Sequence, residues 1–398
     1  MMNKNTARPR IAIDGRFILR PLRGMPFYTL MICKNLPKVM PEHDFFIFIN
    51  RDDIANDAED NFLPRLSAVE QNPNVKIHDL RSDGEFIWEQ VKLPRKLREL
   101  KIDLLHMPGN RVCFFAPCIQ VATIHDTIEW TRLNLFKGKW IRNGLSDKFY
   151  ALRFKLYIWA VYRLGLKLLD HILTISNYAK RTINSEFPET LSKTSFVYHG
   201  IPPSYSNHRD LSTEPSEKNG VLMLGGDSYQ KNPESMIKAW SLLPASLKRK
   251  HPLTIAGFKG SKKSSLGAAL NKYCGDDPVQ VHGWVSDDDL VRLFTKNRVF
   301  FFASREEGFG FPLLQAMSIG TPVVTSKADV LVELGQDSVY SADAEDSAAL
   351  AERLSVLLTN DEAWRSCRAR GVELAKSFSW EDNAKYISQL YQQLLRKK

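Results

Sequence analysis

The chain has 398 residues, 43% of them hydrophobic and 25% charged, with 20 Pro and 21 Gly. At roughly 100–200 residues per domain this length implies two domains, or three small ones, and the composition excludes collagen-like, disordered and small disulfide-rich classes. The formal net charge is +10, and no apolar run approaches the ~18 residues of a membrane span.

The N-terminal MMNKNTARPR is polar and leads straight into a strand-like IAID without a secretory apolar region, so a cytoplasmic location is expected. Short β-branched or aromatic runs then recur: RIAIDG, HDFFIFIN, NVKIHDL, IDLLHMP, QVATIHD, HILTISN and SFVYHG. Helical stretches such as FYTLMICKNLPKVM and WEQVKLPRKLREL lie between them. Alternation of strand and helix predicts a parallel, doubly wound sheet over residues 1–205. The polar, turn-rich segment 206–219 has no apolar periodicity and reads as a linker. From residue 220 the pattern restarts with GVLMLGG, PLTIAG, VQVHGWV, RVFFFAS, TPVVTS and SVYSA, which predicts a second doubly wound domain over 220–379. Ligands of such sheets bind beyond the carboxyl ends of the strands, here expected in a crevice between two facing domains. The segment 380–398 is an amphipathic helix, set apart because it is free to cross back to the first domain.

Five cysteines (Cys33, Cys113, Cys118, Cys274, Cys367) are odd in number and scattered. Cys113 and Cys118 have no second Cys or His pair nearby, so buried thiols are expected, with no metal and no cofactor. The charge is uneven: residues 1–205 hold 30 Lys and Arg against 21 Asp and Glu, and the rest holds 25 against 24. Nine basic residues and one acid fall between Arg132 and Lys167, interleaved with Phe136, Trp140, Phe149, Tyr150, Phe154, Tyr157, Trp159 and Tyr162. Such a stretch suits an anionic membrane or a lipid-linked substrate, a nucleic acid, or a solvated helix whose aromatics enter the core; charge alone leaves these open.

The most informative segment is SREEGFGFPLLQAMSIGTPVV, Ser304 to Val324. It follows a strand and opens a helix at Pro312, a favoured first-turn residue. Gly308 and Gly310 leave the backbone bare, so successive N–H groups can approach an anion at the helix N-terminus. Glu307 stands at the front of this turn, Gln315 is expected in the first helical turn, and Glu306 is expected to face solvent. A carboxylate beside a phosphate-attracting turn suits a bifunctional ligand, with hydroxyls for the acid and phosphate for the amides. A nucleotide sugar has that chemistry.

EGFGFPLLQAMSIGTPVV resembles the C-terminal signature of glycosyltransferase family 4, retaining enzymes of the GT-B fold. RIAIDGRFILRPLRGMPFYT, WEQVKLP, DLLHMPGN, TIHDTIEW, TISNYAKRTI, FVYHGIPPSY, GGDSYQKNPESMIKAW and VHGWVSDDDL resemble further family segments in the family's order, over nearly the whole chain. The resemblance implies an α/β GT-B enzyme, two doubly wound Rossmann-like domains facing across a cleft. It assigns donor-sugar hydroxyls to Glu307 and donor sugar and diphosphate to the backbone of Gly308, Phe309, Gly310 and Phe311. It also implies that Lys231 pairs with the diphosphate beside Gly225 and Gly226, that His125 reaches the donor sugar, and that Gly24 lies in the loop closing over diphosphate and acceptor. His106, at another strand end, reads as structural.

Two positions depart from the family pattern. Gln315 stands where the second acid of Glu-x₇-Glu grips the ribose, and an amide still donates and accepts there. Gly226 stands where an arginine is usual, which removes one diphosphate cation unless Arg305, Lys259 or an N-domain arginine substitutes. With no second carboxylate in the motif, the resemblance implies a front-face, retaining, metal-independent hexosyltransferase in polysaccharide or lipopolysaccharide assembly. The implied partners are a nucleotide-diphosphate sugar, GDP-mannose or a relative favoured over UDP-sugars and dTDP-rhamnose, and a glycan or lipid-linked acceptor. Nucleic acid is not expected, and peripheral docking on the inner face of the cytoplasmic membrane stays open. The other readings are a non-catalytic sugar-nucleotide-binding relative and a GT-B epimerase or phosphorylase.

Overall fold

The computed structural model describes residues 8–20, 24–53, 59–82, 84–131, 154–209, 211–258 and 264–397. The chain divides into two compact units, 1–200 with 380–398, and 201–379. In the first unit, seven parallel strands are ordered β3-β2-β1-β4-β5-β6-β7. They are β1 (Arg10–Asp14), β2 (Asp44–Ile49), β3 (Val75–Asp79), β4 (Leu104–Met107), β5 (Ile119–Thr123), β6 (His171–Thr174) and β7 (Thr194–Phe196). The near-continuous apolar runs follow from burial on both sheet faces; Ile11, Ala12, Ile13, Leu104 and Leu105 have no exposed surface. Strand order reverses between β1 and β4, where Ile11 pairs with Leu104 and Ile13 with His106.

The second unit repeats this logic with six parallel strands ordered β10-β9-β8-β11-β12-β13. These are β8 (Val221–Leu224), β9 (Leu253–Ala256), β10 (Val279–Val281), β11 (Val299–Phe302), β12 (Val323–Ser326) and β13 (Tyr340–Ala342). Its reversal point lies between β8 and β11, with Leu222 opposite Phe300. Each sheet has its own core, around Trp88, Tyr162 and Phe187 in the first unit and Trp240, Phe301 and Leu354 in the second.

The segment read as a linker is a folded part of the second unit. A 3-10 turn at Pro215–Glu217 carries a Glu214/Glu217 capping box, Arg209 Nε donates to Ser318 O at 2.7 Å, and Arg368 Nη1 donates to Thr213 O at 2.7 Å. Polar side chains rather than an apolar stripe hold it, which is why periodicity does not register it. The C-terminal helix Trp380–Arg396 belongs to the first unit and packs on the helix Met25–Val39. Of the basic, aromatic stretch, 132–153 lies outside the described residues. The remainder is a helix over 154–168 with a π-helical turn at Val161–Gly165. Tyr157, Ile158, Val161 and Tyr162 turn into the core, whereas Phe154, Leu156 and Trp159 are exposed.

Candidate active site

In the second unit, the loops after β8 and β11 leave neighbouring strands at the reversal point, the place where a doubly wound sheet opens to ligands. After β8 the chain passes Gly225 and Gly226 into a 3-10 turn at Tyr229–Lys231. A Cβ on Gly225 would lie 3.1 Å from both Ile255 Cγ2 and Phe258 Cβ, and one on Gly226 would lie 3.1 Å from Lys231 Cγ. The two glycines thus let the loop lie close to β9 and seat the stem of Lys231. Asn232 ends the turn in the left-handed region, φ +52°, and the helix Pro233–Ser241 follows.

After β11 the chain runs through Arg305, exposed Glu306 and Glu307 to Gly308, buried Phe309 and Gly310. Gly310 has φ +113°, and a Cβ there would lie 2.8 Å from Leu331 Cδ2, so the position requires glycine. It caps the helix Phe311–Ile319, and Leu313 N–H donates to Gly310 O at 3.0 Å. Gln315 is half-buried and falls in the second turn of this helix, one turn further in than the sequence suggested, because the helix starts at Phe311.

The two loops meet. Lys231 Nζ donates to Glu307 Oε1 at 2.7 Å, with the lysine side chain 36% exposed and the glutamate 12%. Lys231 Nζ also lies 5.3 Å over the Phe302 ring. A cation, a carboxylate and a helix N-terminus are therefore grouped on one strand-end edge. Arg305 is not free to replace an arginine at position 226: its guanidinium pairs with both oxygens of Glu345, and Nη1 donates to Tyr229 O at 2.7 Å. Lys259 lies outside the described residues.

In the first unit, His125 follows β5 and is 5% exposed. Its backbone N–H donates to Asn110 Oδ1 at 2.7 Å, and Nε2 lies 2.8 Å from Pro108 O. A carbonyl only accepts, so Nε2 carries the proton and Nδ1 is the acceptor. Burial lowers the His125 pKa to about 4, and the ring is neutral at neutral pH. Tyr28 packs edge-on against it at 5.1 Å, and His199 lies 5.6 Å away. His106 is fully buried, with Nδ1 2.5 Å from Tyr391 OH and Nε2 2.7 Å from Thr123 Oγ1, which in turn meets Tyr28 OH at 2.9 Å. Both of its ring nitrogens are thus used inside the unit. Gly24, φ +50°, opens the helix Met25–Val39 that carries Tyr28.

Sequence reasoning missed Asn110, which holds His125 from a left-handed position, φ +55°. The one signal was the Pro-Gly-Asn run after β4, since Asn tolerates that region better than most residues. It also missed the centre of WEQ: buried Glu89 accepts from Arg16 Nη2 at 2.7 Å and from Tyr157 OH, and lies 3.8 Å from Arg111 Nε. Arg16 also pairs with Asp14 at 2.7 Å and lies 3.9 Å over the Trp88 ring. Burial disfavours the Arg16 charge, and the two carboxylates outweigh it, holding its pKa well above the ordinary value.

Comparison with known proteins matches residues 22–205 to the family described as Glycosyltransferase Family 4 and residues 205–373 to Glycosyl transferases group 1. The chain belongs to glycosyltransferase family 4. Among this glycosyltransferase's relatives, the O-antigen chain mannosyltransferase B of Escherichia coli is 34% identical over 163 residues, 41% of this chain and 42% of the relative. The serotype-specific mannosyltransferase WbdA of Escherichia coli is 29% identical over 181 residues, 44% of this chain and 22% of the relative. The match thus spans less than half the length of either relative. The sucrose-phosphate synthase structure from Thermosynechococcus elongatus superposes with a TM-score of 0.71 at 16% identity, covering 98% of this chain and all of the other. The fold is GT-B, two Rossmann-like domains.

Proposed function

We propose that this chain is a retaining hexosyltransferase that moves a sugar from a nucleoside-diphosphate donor to a glycan or lipid-linked glycan during surface polysaccharide assembly. The observation that carries the reading is the Lys231–Glu307 pair at 2.7 Å beside the Gly310-capped helix start. The leaving diphosphate gains negative charge in the transition state, and a fixed ammonium beside a helix N-terminus stabilises that charge as it forms. Glu307, with one oxygen on Lys231, has a second oxygen to accept from donor-sugar hydroxyls. Neutral His125 offers Nδ1 as a further acceptor for a sugar hydroxyl. Gly24, Gly225, Gly226, Gly308, Phe309, Phe311 and Gln315 complete the proposed donor contacts.

With Gln315 in place of a second acid, the proposed route is front-face. The acceptor hydroxyl attacks the anomeric carbon from the side on which the diphosphate leaves, and a donor phosphate oxygen takes its proton. The protein supplies position and charge, and Lys231 acts as the cation, so no metal is required. A mannosyl donor such as GDP-mannose is favoured by the mannosyltransferases among the relatives. Among the described residues no helix is long and apolar enough to cross a membrane; the proposed location is peripheral, on the inner face of the cytoplasmic membrane. A non-catalytic sugar-nucleotide-binding role is the second reading, motivated by Gln315 and Gly226.

Release of nucleoside diphosphate from GDP-mannose, UDP-sugars and dTDP-rhamnose, with and without acceptor glycan, tests the proposal. Release that rises with acceptor supports transfer, whereas binding without any release supports the second reading. Lys231→Ala and Glu307→Ala are each expected to cut turnover by about 10²–10³-fold, the usual effect of removing one transition-state contact. Near-full turnover by either variant at saturating donor overturns the site. Chelator is expected to leave turnover unchanged, and strict dependence on Mg²⁺ or Mn²⁺ contradicts the lysine-based account.

A further inference from the structure

We propose that Arg305 and Glu345 are positioning residues that lock the turn bearing Lys231 to the turn bearing Glu307. The inference rests on the donor-site reading above and concerns what holds its two charged groups at working distance. Tyr229–Lys231 is one 3-10 turn with Tyr229 exposed, too short to fix a lysine by itself. Arg305, two residues before Glu307, braces it in three ways. Its backbone N–H donates to Gln230 O at 2.7 Å, its Nη1 donates to Tyr229 O at 2.7 Å, and its guanidinium lies 4.2 Å over the Tyr229 ring. The fork formed by Nε and Nη2 is then gripped by both oxygens of Glu345, Nη2 at 3.0 Å from Oε2. Each of the three guanidinium nitrogens is engaged.

Glu345 stands in the loop after β13, so the brace ties together three strand-end loops. A second tie joins the same loops independently: buried Asn232 donates from Nδ2 to Ala303 O at 3.0 Å and to Ala344 O at 2.7 Å. Lys231 is thus flanked by two cross-links, one on each side of its turn. A planar fork matched to a carboxylate fixes orientation as well as distance, which a lysine ammonium cannot reproduce. Misplacement by about 1 Å of a group that acts on the transition state costs up to ~10²-fold in rate, so the brace belongs to the function of the site as well as to its stability.

The sign of the Glu345 effect separates this role from a direct one. If Arg305 were a diphosphate ligand merely restrained by Glu345, Glu345→Gln would free a cation, remove an anion and tighten donor binding. If the pair is a brace, Glu345→Gln loosens Lys231 and weakens the donor site although an anion has been removed.

The experiment measures donor KM and kcat, and hydrogen exchange of peptides spanning 228–232 and 303–307, for wild type, Glu345→Gln, Arg305→Lys and Arg305→Gln. Expected are faster exchange in both peptides and about tenfold lower kcat/KM in all three variants, with Arg305→Lys no better than Arg305→Gln. Glu345 is exposed, so Glu345→Gln leaves the fold intact and carries the test if the arginine variants fail to fold. Tighter donor binding or unchanged exchange in Glu345→Gln overturns the proposal, as does wild-type behaviour of Arg305→Lys. A wild-type protein that neither binds nor turns over any donor defeats the transferase reading alone, because the exchange measurement still decides the brace.

Discussion

His125 shows how one side chain acquires a defined chemical role from its neighbours. Pro108 O fixes the proton on Nε2, Asn110 Oδ1 holds the backbone, and burial keeps the ring neutral with a pKa of about 4. The ring therefore does not titrate near neutrality, and no His125-dependent limb is expected in the rate profile between pH 6 and 8. His125→Ala is expected to lower kcat/KM by about 10–100-fold, the range for a donor hydroxyl left without its buried partner. Near-native kcat/KM in that variant assigns His125 to packing against Tyr28. The strand-end positions of His125, Lys231 and Glu307 were legible because each sits in a short motif in a loop that follows a strand. Asn110, Asn232 and Arg305 were not. Their roles depend on which residue takes a left-handed backbone and on a carboxylate, Glu345, forty positions away in the chain. Gln315 and Gly226 were legible as departures, yet the close seat of the Lys231 stem on Gly226 appears only in three dimensions.

At the level of elements, the first unit carries neutral histidines along its sheet, three of them buried and one, His171, half-buried at the opposite end of the strands from His125 and His199. His106 lies in β4, His125 follows β5, His171 lies in β6 and His199 follows β7. Burial lowers His106 to about 3, His125 and His171 to about 4, and His199 well below its ordinary value. In the unfolded chain these groups titrate near 6.5, so between about pH 6.5 and pH 4 the unfolded state binds more protons than the folded one. Stability is therefore fully present above about pH 6.5 and falls as pH drops towards 4, with each histidine contributing up to about 1.4 kcal/mol per pH unit. Urea unfolding at pH 7.5, 6.0 and 5.0 is expected to show a steadily lower midpoint. His171→Gln, at the most accessible of the four, is expected to make that dependence shallower. A midpoint independent of pH across this window contradicts the burial of these rings. The central strands were legible from apolar runs, because parallel strands buried on both faces have no other composition, and the edge strands β3 and β10 from shorter β-branched runs. The π-helical turn at Val161–Gly165 was not, nor was the folding of 206–219 onto the second unit, which side-chain hydrogen bonds rather than periodicity hold.

For the molecule as a whole, the charge asymmetry between the two halves of the sequence meets a structural counterpart on the helix over 154–168. Its inner face delivers Tyr157, Ile158, Val161, Tyr162 and Leu166 to the core. Its outer face presents Leu156, Trp159, Leu164 and Leu168 together with Lys155, Arg163 and Lys167. Under the alternative of a solvated helix with core aromatics, Tyr157 does pack on the core, whereas Phe154 and Trp159 are each 43% exposed and Trp140 lies outside the described residues. Arg163 stacks 4.8 Å over the Trp130 ring, which keeps its stem against the protein and its charge near the surface. Alternating aromatic, aliphatic and cationic side chains on one helix face suit the headgroup layer of an anionic bilayer. Each basic residue near such a surface contributes about 1 kcal/mol, and we propose that the three on this face help to hold the protein reversibly at an anionic bilayer. Co-sedimentation with phosphatidylglycerol-containing vesicles across a salt series is expected to show binding that falls steeply with salt. Lys155→Glu with Lys167→Glu is expected to reduce it at all salt concentrations, and Trp159→Ser to reduce it most at high salt, where only apolar insertion remains. Absence of binding at low salt, or binding indifferent to all three substitutions, sinks the docking proposal and leaves the transferase reading untouched.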